Sequence, residues 1–433
     1  MTAARLVART VRGLEQMVAD EVRLLGAVEW VGYREVGFRC AEPTSAVLGL
    51  RCADDVLVHG ASVRGVGAAR ADLGRLTAAV LAMPVAESLA VRKRCGGADT
   101  VAGVEVSASF VGRRNFSRYD IEDAVGGPLA ARLGVPYWSR RGGVAPPGGG
   151  LGWRVTLEGE RALVGLRIGE RPLHRREYRR VTRAGSVHPP VAAAMARLGG
   201  VGGRMLDPCC GAGTLAVEAA LAGAELVLGF DRDAEAVAAA RANWGGVTGA
   251  DMVGGAGDAR PGAGVGWEPA SSGQAGAVDW EAAGSEQAGT GVAWSVTDAG
   301  RARAGTASSV ADDGRAEAEV ARNVPNAGQV GARVAWAVAD AGRIPVADGA
   351  IDLVLCNPPW DRQVPAAGIL ARRPDRFWRE LRRVLRPGGR AVLLLPEHGI
   401  RPAGFRVLSR VPISLAGRQP EIVTLAAPGP TDR

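Results

Sequence analysis

The sequence predicts an α/β protein. A mostly parallel sheet ending in an antiparallel hairpin fills its C-terminal part, and a smaller α/β region precedes it. Three observations carry this. From about residue 185 onward, apolar strands alternate with helix-length segments, the order that covers both faces of a parallel sheet. Four of those strands run out into an acidic or amide residue at a turn: Asp207, Asp231, Asp340 and Asn357. Before residue 171 the strands are shorter, alternate with a period of two and lie between amphipathic helices.

Taken in order, residues 1–60 read as a strand at Arg5–Ala8 and a helix from Leu14 to Leu25, with Leu14, Met17, Val18, Val22 and Leu25 on one face. Strands at Val28–Val31 and Val36–Cys40, a short helix over Ser45–Leu50 and a strand at Val56–Val58 follow. That β-α-β-β-α-β order fits a ferredoxin-like element. Residues 61–170 read as a second α/β unit. Its strand is Val104–Phe110, its helix Asp120–Leu133, its Gly/Pro loop 142–150, and its closing strands Trp153–Leu157 and Ala162–Ile168. A basic linker occupies 171–184.

The third unit spans 185–433. Ser186 with Pro189 and Pro190 starts an Ala-rich helix to Leu198. Strands are expected at Arg204–Leu206, Leu226–Phe230, Val334–Val338, Ile351–Cys356 and Ala391–Leu395, with helices over 213–222, 233–243 and about 374–384. Phe405–Arg410 and Glu421–Ala426 read as the terminal hairpin. Residues 250–331 break the pattern. They are dominated by Gly, Ala and Ser without periodicity, too poor in apolar area to offset chain entropy. This stretch is expected to be a disordered surface insertion between two helix/strand units.

The formal charge of the chain is +8, which suits a polyanionic partner. That figure understates the body of the protein. Residues 251–331 hold 11 acidic residues against 5 arginines, so the rest of the chain carries +14. Nearly all of the positive charge is arginine, Lys93 being the single lysine. The six cysteines (40, 52, 95, 209, 210, 356) and four histidines (59, 174, 188, 398) show no metal-ligand spacing and no disulfide framework. No metal is expected. With no signal-like stretch at the start and no run of about 20 apolar residues, a soluble cytoplasmic protein, probing no membrane and acting as a monomer, is expected.

The chemistry sits at the strand ends. In RMLDPCCGAGTLAVEAA (204–220) an apolar strand ends at Asp207 and passes through a turn of small residues, Pro208, Cys209, Gly211 and Gly213, into a helix opening at Thr214. Small residues admit a ligand close to the backbone, and a helix N-terminus favours its anionic groups. Asp231, ending LVLGFD, stands where ribose hydroxyls bind in such sheets, with Asp233 as the cap of the following helix. Asp340, followed by Ala341, is positioned to accept from an adenine amino group.

Ile351–Cys356 runs into Asn357-Pro358-Pro359-Trp360. Two prolines remove ladder donors and stiffen the chain, fixing the Asn357 side-chain oxygen and the Pro358 carbonyl as acceptors. Hydrogen bonds from both N–H groups of a planar amine would localise its lone pair and aim it at a methyl sulfonium. Trp360 offers a stacking face for the base, worth roughly 1–3 kcal/mol.

On these residues, 185–428 resemble a Rossmann-fold methyltransferase of the amino-group class. NPPW matches its Asn/Asp/Ser-Pro-Pro-aromatic motif, DPCCGAGT at 207–214 its cofactor turn, and FWRELRRVLRPGGRAVLLL at 377–395 the stretch that follows the motif. The resemblance implies S-adenosylmethionine as cofactor. Asp207, Gly211 and Gly213 would lie along its methionine part, Asp231 on the ribose and Asp340 at the adenine. VEVSASFVGRRNFSRYDIEDAVGGPLAARLG at 104–134 resembles the THUMP domain, an RNA-binding module, which makes 61–170 the expected THUMP unit. GLEQMVADEV near the start and LHRREYRRVTRAGSVHPPVAAAM at 173–195 are similar to flanking pieces of THUMP-containing guanine-N2-methyltransferases. The resemblance therefore implies methylation of guanine N2 in tRNA, in the acceptor stem at position 6.

Phosphate contacts are expected from Arg113, Arg114, Arg118, Arg175, Arg176, Arg179 and Arg180, with Arg171 and Arg183 as further members of the basic cluster. Phe116, Tyr119 and Tyr178 could stack on bases, though core packing is the simpler role for each. Rival substrates are a guanine of large-subunit ribosomal RNA, adenine N6 of DNA and a protein glutamine amide; a non-catalytic RNA-binding protein is a rival of another class. Deleting about 255–328 is expected to leave fold and turnover intact, as judged by a thermal melt and a methyl-transfer assay; loss of the melting transition would make the insertion structural.

Overall fold

The computed structural model of the chain describes residues 3–200, 202–247, 332–359, 364–397 and 404–429, with the backbone of 293–296 and 302–305. It divides into two compact units, Met1–Arg175 and Arg176–Arg433, and each builds a seven-stranded sheet.

The first unit runs β1 (Ala4–Arg9), α1 (Glu15–Val22), β2 (Ala27–Gly32), β3 (Glu35–Cys40), β4 (Asp55–Val63), α2 (Leu73–Ala82), α3 (Val85–Arg94), β5 (Val104–Phe110), α4 (Arg118–Leu133), β6 (Leu151–Glu158) and β7 (Arg161–Arg167). The strand order is β2-β3-β1-β4-β7-β6-β5. β3 pairs antiparallel with both β1 and β2, so β1-α1-β2 is a split β-α-β crossover. Leu6, Phe38, Trp153, Val155 and Leu166 are among its buried core residues.

Three expectations change here. The division at residue 60 runs through β4, which pairs with β7 from Leu57 to Val63, so the two stretches share one sheet. The helix over Ser45–Leu50 is a 3-10 turn, Ser45–Gly49, capped by Thr44 and ended by Leu50, both in extended backbone, the tighter helix being the form used in short pieces. Helices α2 and α3 were not expected from the sequence. α4 carries a reciprocal cap, in which the Ser117 side chain accepts from the Asp120 N–H and the Asp120 carboxylate from the Ser117 N–H. It stops at Gly134 in the left-handed region, φ 66°.

The second unit runs α5 (Pro189–Gly199), β8 (Arg204–Asp207), α6 (Thr214–Leu221), β9 (Leu226–Asp231), α7 (Ala234–Trp244), β10 (Ala293–Val296), β11 (Ala302–Gly305), β12 (Arg333–Val338), β13 (Ile351–Cys356), α8 (Ile369–Arg372), α9 (Asp375–Val384), β14 (Leu385–Leu395), β15 (Arg406–Pro412) and β16 (Glu421–Ala426). The sheet order is β12-β9-β8-β13-β14-β16-β15. The first five are parallel, and the last pairings are antiparallel. β10 and β11 form a separate antiparallel pair within the expected insertion, most of which lies outside the described residues.

Parallel strands deliver their C-terminal ends to one edge, where the connecting loops must satisfy their own backbone groups. Asn243, on the last turn of α7 and fully buried, does this for two loops at once. Its Oδ1 accepts from the Val181 N–H at 2.8 Å, while Nδ2 donates to the carbonyls of Val181 (2.9 Å) and Ala212 (2.8 Å). Ala212 sits between the two glycines of the turn after β8. The buried trio of Arg176, Tyr178 and Glu218 ties the same incoming segment to α6: Arg176 Nε and the Tyr178 hydroxyl both donate to Glu218 Oε1, at 3.0 and 2.9 Å.

Asn243→Ala leaves the buried Ala212 carbonyl and two half-buried Val181 groups without their partner, a buried unsatisfied group costing about 1–3 kcal/mol. Urea denaturation is expected to show a loss of about 2–4 kcal/mol. A loss within about 0.5 kcal/mol, the range of an ordinary surface change, would show that this amide does not hold the turn.

Candidate active site

Four of the five parallel strands end in a polar side chain whose orientation is set by neighbouring backbone groups. After β8 the chain turns through Gly211 (φ 51°) and Gly213 (φ 80°), both in the left-handed region that glycine adopts without strain. Gly213 also serves as the N-cap position of α6. A side chain at Gly211 would meet nothing within 4 Å, so this backbone is open to a ligand.

Asp207 is 1% exposed. Its Oδ1 accepts from the Cys209 N–H at 3.2 Å, and its Oδ2 is buried without a hydrogen-bond partner. Burial pushes its carboxyl well above the usual range; the Cys209 N–H opposes this and the charge of Asp231 adds to it. Thr214 Oγ1 is likewise buried and unpartnered. Burial also raises the Cys210 and Cys356 thiols.

Asp231 bridges the turns after β8 and β9. One oxygen accepts from the Gly211 N–H at 2.9 Å and the other from the Asp233 N–H at 3.0 Å. Asp233 caps α7 through the Glu235 N–H and forms an ion pair with Arg183. Asp340 accepts from the Gly342 N–H at 2.8 Å and from the Ile369 N–H at 3.0 Å, tying the loop after β12 to the start of α8. At the end of β13, Asn357 Nδ2 donates to the Gly185 carbonyl at 3.0 Å.

These side chains line one cleft of about 840 Å³, within the size range of small-molecule sites. It brings together Asp207, Pro208, Cys209, Gly211, Thr214, Asp231, Asp233, Asp340, Ala341, Asn357, Pro358 and Pro359. Gly213 shapes the turn beneath it. Trp360 lies outside the described residues. Sequence reasoning missed Gly185, Ser186 and Val187, which form one wall, and Val364, Leu370 and Arg418. Their one local signal is the Ala-Gly-Ser step before Pro189, where Gly185 takes φ 76°.

The expected phosphate contacts separate into two groups. Arg113, Arg118, Arg175 and Arg180 are exposed and Arg179 is half-buried. Arg114 and Arg176 are corrected. The Arg114 guanidinium donates to the backbone carbonyls of Val66, Gly67, Val111 and Gly159, and Arg176 is buried on Glu218; both serve packing. Arg183 is held by Asp233 and Glu235. Phe116 and Tyr178 are buried, which makes them core residues rather than stacking platforms.

Comparison with known proteins follows this geometry. The family described as UPF0020: RMKL-like, methyltransferase domain matches residues 176–401. A tRNA (guanine(6)-N2)-methyltransferase of Thermus thermophilus is 32% identical over 222 residues, 50% of this chain and 60% of that protein. A ribosomal RNA large subunit methyltransferase K/L of Syntrophotalea carbinolica is 27% identical over 237 residues, 51% of this chain and 30% of that protein. The match thus spans less than two thirds of either relative's own length. The crystal structure of TrmN from Thermus thermophilus shares the fold, with a TM-score of 0.61 at 24% identity, covering 98% of this chain and 99% of that one. With a parallel sheet carrying polar residues at its strand ends, and a family match across more than half its length, the chain belongs to the RMKL-like methyltransferase domain family.

Proposed function

We propose that this protein transfers a methyl group from S-adenosylmethionine to the exocyclic N2 of a guanosine in tRNA, in the acceptor stem at position 6. One observation carries the reading. The Asn357 amide nitrogen donates to the Gly185 carbonyl, and Asn357, Pro358 and Pro359 line the same cleft as Asp207, Asp231 and Asp340.

The cleft fits the cofactor. Asp207 Oδ2 and Thr214 Oγ1 are buried polar atoms without partners, matched to the ammonium and other donors of an amino acid moiety. A cation there would draw the Asp207 carboxyl back down from its raised value. Gly211 leaves backbone open for close approach. Asp231 and Asp340 each hold one backbone N–H per oxygen; a carboxylate oxygen accepts more than one bond, so ribose hydroxyls and the adenine amine suit them. S-adenosylmethionine, when bound, supplies a methyl group on a sulfonium.

The protein's part is positioning and electrostatics. Asn357 Oδ1 and the Pro358 carbonyl accept the two N–H bonds of the substrate amine, localise its lone pair and stabilise the positive charge that grows on nitrogen. Pro358 and Pro359 hold those acceptors still because their φ angles are fixed. Trp360, beyond them, would stack on the base.

The tRNA reading is supported by the THUMP-like stretch 104–134 within the expected 61–170 unit, by the basic linker 171–184, and by the relative named for guanine(6)-N2 methylation. A second reading, guanine N2 of large-subunit ribosomal RNA, is favoured by the name of the other relative. Adenine N6 of DNA and a protein glutamine amide would suit the Asn-Pro-Pro geometry equally, but leave the basic N-terminal half without a role. We read the protein as a cytoplasmic monomer; among the described residues no single helix is long and apolar enough to cross a membrane.

Nucleoside mass spectrometry of tRNA and ribosomal RNA treated with the purified protein and S-adenosylmethionine tests the substrate, N2-methylguanosine in tRNA being the expected product. Asn357→Ala is expected to lower turnover by about 10²–10³, the cost of removing one preorganised transition-state partner. Asn357→Asp keeps an acceptor but sets an oxygen against the Gly185 carbonyl, so it should also turn over slowly. Full turnover in the alanine variant would refute the acceptor role.

A further inference from the structure

The first unit holds a second cleft, of about 660 Å³, where the C-terminal turn of α3, the start of α4, the 143–150 loop and the segment 170–175 meet. Five arginines line it: Arg92, Arg118, Arg140, Arg171 and Arg175. Two glutamates oppose them. Glu105 is paired with Arg140 at 2.7 Å, and Glu170 is exposed.

Arg92 is the informative member. It is 5% exposed, and its guanidinium donates to two backbone carbonyls, those of Arg167 and Ala98. No carboxylate among the described residues forms an ion pair with it. Its stem runs past Gly97, where a Cβ would collide with it at 2.4 Å. Its charge is balanced only through space, by Glu170 and Asp99, so an anion in the cleft would lower the cost of its burial. Burial accordingly lowers the Arg92 pKa.

The remaining features narrow the anion. Arg118 lies over the Tyr119 ring at 4.7 Å, giving the rim a flat surface of the kind on which bases stack. Gly148, where a side chain would meet nothing within 4 Å, also lines the cleft and lets a ligand approach the backbone closely. The volume is far larger than a lone phosphate needs and suits a nucleotide unit.

We propose that this cleft binds a phosphodiester of the RNA substrate, with Arg92 as the buried anchor and Arg118 and Arg175 as exposed contacts. The proposal rests on the RNA reading above and gives the N-terminal half a defined docking site. Fluorescence anisotropy of the full chain with an unmodified tRNA transcript, without cofactor and over a range of potassium chloride, tests it. Arg118→Ala with Arg175→Ala is expected to raise Kd about tenfold at physiological salt and to reduce the slope of log K against log salt by about 2. Arg92→Met should raise Kd comparably. If that variant fails to melt cooperatively, the exposed pair decides alone. Native Kd and native slope in the double variant would overturn the cleft while leaving the RNA reading intact. Failure of the unaltered chain to bind tRNA would overturn that reading, and the cleft proposal with it.

Discussion

The Asp231 carboxylate joins two loops that are otherwise linked by the backbone bond from the Cys210 N–H to the Phe230 carbonyl. Loops leaving the edge of a parallel sheet carry N–H groups with no ladder partner, and a buried unpaired N–H is costly. Asp231 answers for two of them, at Gly211 and Asp233, and so sets the spacing between the turns after β8 and β9. Asp340 repeats the arrangement between Gly342 and Ile369, and Asn243 does so between Val181 and Ala212. The cleft keeps its shape because side-chain acceptors, rather than strand ladders, stitch its rim.

Arginine does comparable work elsewhere. Arg114 gathers carbonyls from Val66, Gly67, Val111 and Gly159, Arg132 takes those of Val80 and Met83, and Arg383 those of Val346 and Ile344. A guanidinium has five donors in a planar fork, enough to close several loops at once. Much of the positive charge in this arginine-rich chain is therefore structural, and net charge alone overstates its surface for a polyanion.

That explains which parts were legible in the sequence. Val104–Phe110 and Ile351–Cys356 are strands over the residues anticipated, the first because it alternates with a period of two and the second because it is a clear apolar run ending in turn formers. The four strand-end polar residues were legible for the same reason. α2 and α3 were not: α3 shows little facial contrast, and α2 is short and apolar around much of its surface. β14 begins at Leu385, ahead of the anticipated Ala391, because Arg386-Pro387-Gly388-Gly389 reads locally as a turn. The wall at Gly185 and the latch at Asn243 depend on partners 172 and 62 residues away, and no local pattern announces such contacts. Arg114 and Arg176 were misjudged because a charge does not reveal its own burial.

The hairpin closing the second sheet has a consequence for synthesis. β16 follows β15 in the chain yet lies between β14 and β15. Until the ribosome has released β16, the edge of β14 stays bare and β15 has nothing to pair with. An exposed strand edge is a template for intermolecular pairing, and such edges are hazards in partly folded chains. The nascent protein thus carries an open flank while residues 396–426 are made, and completion of this sheet waits on β16.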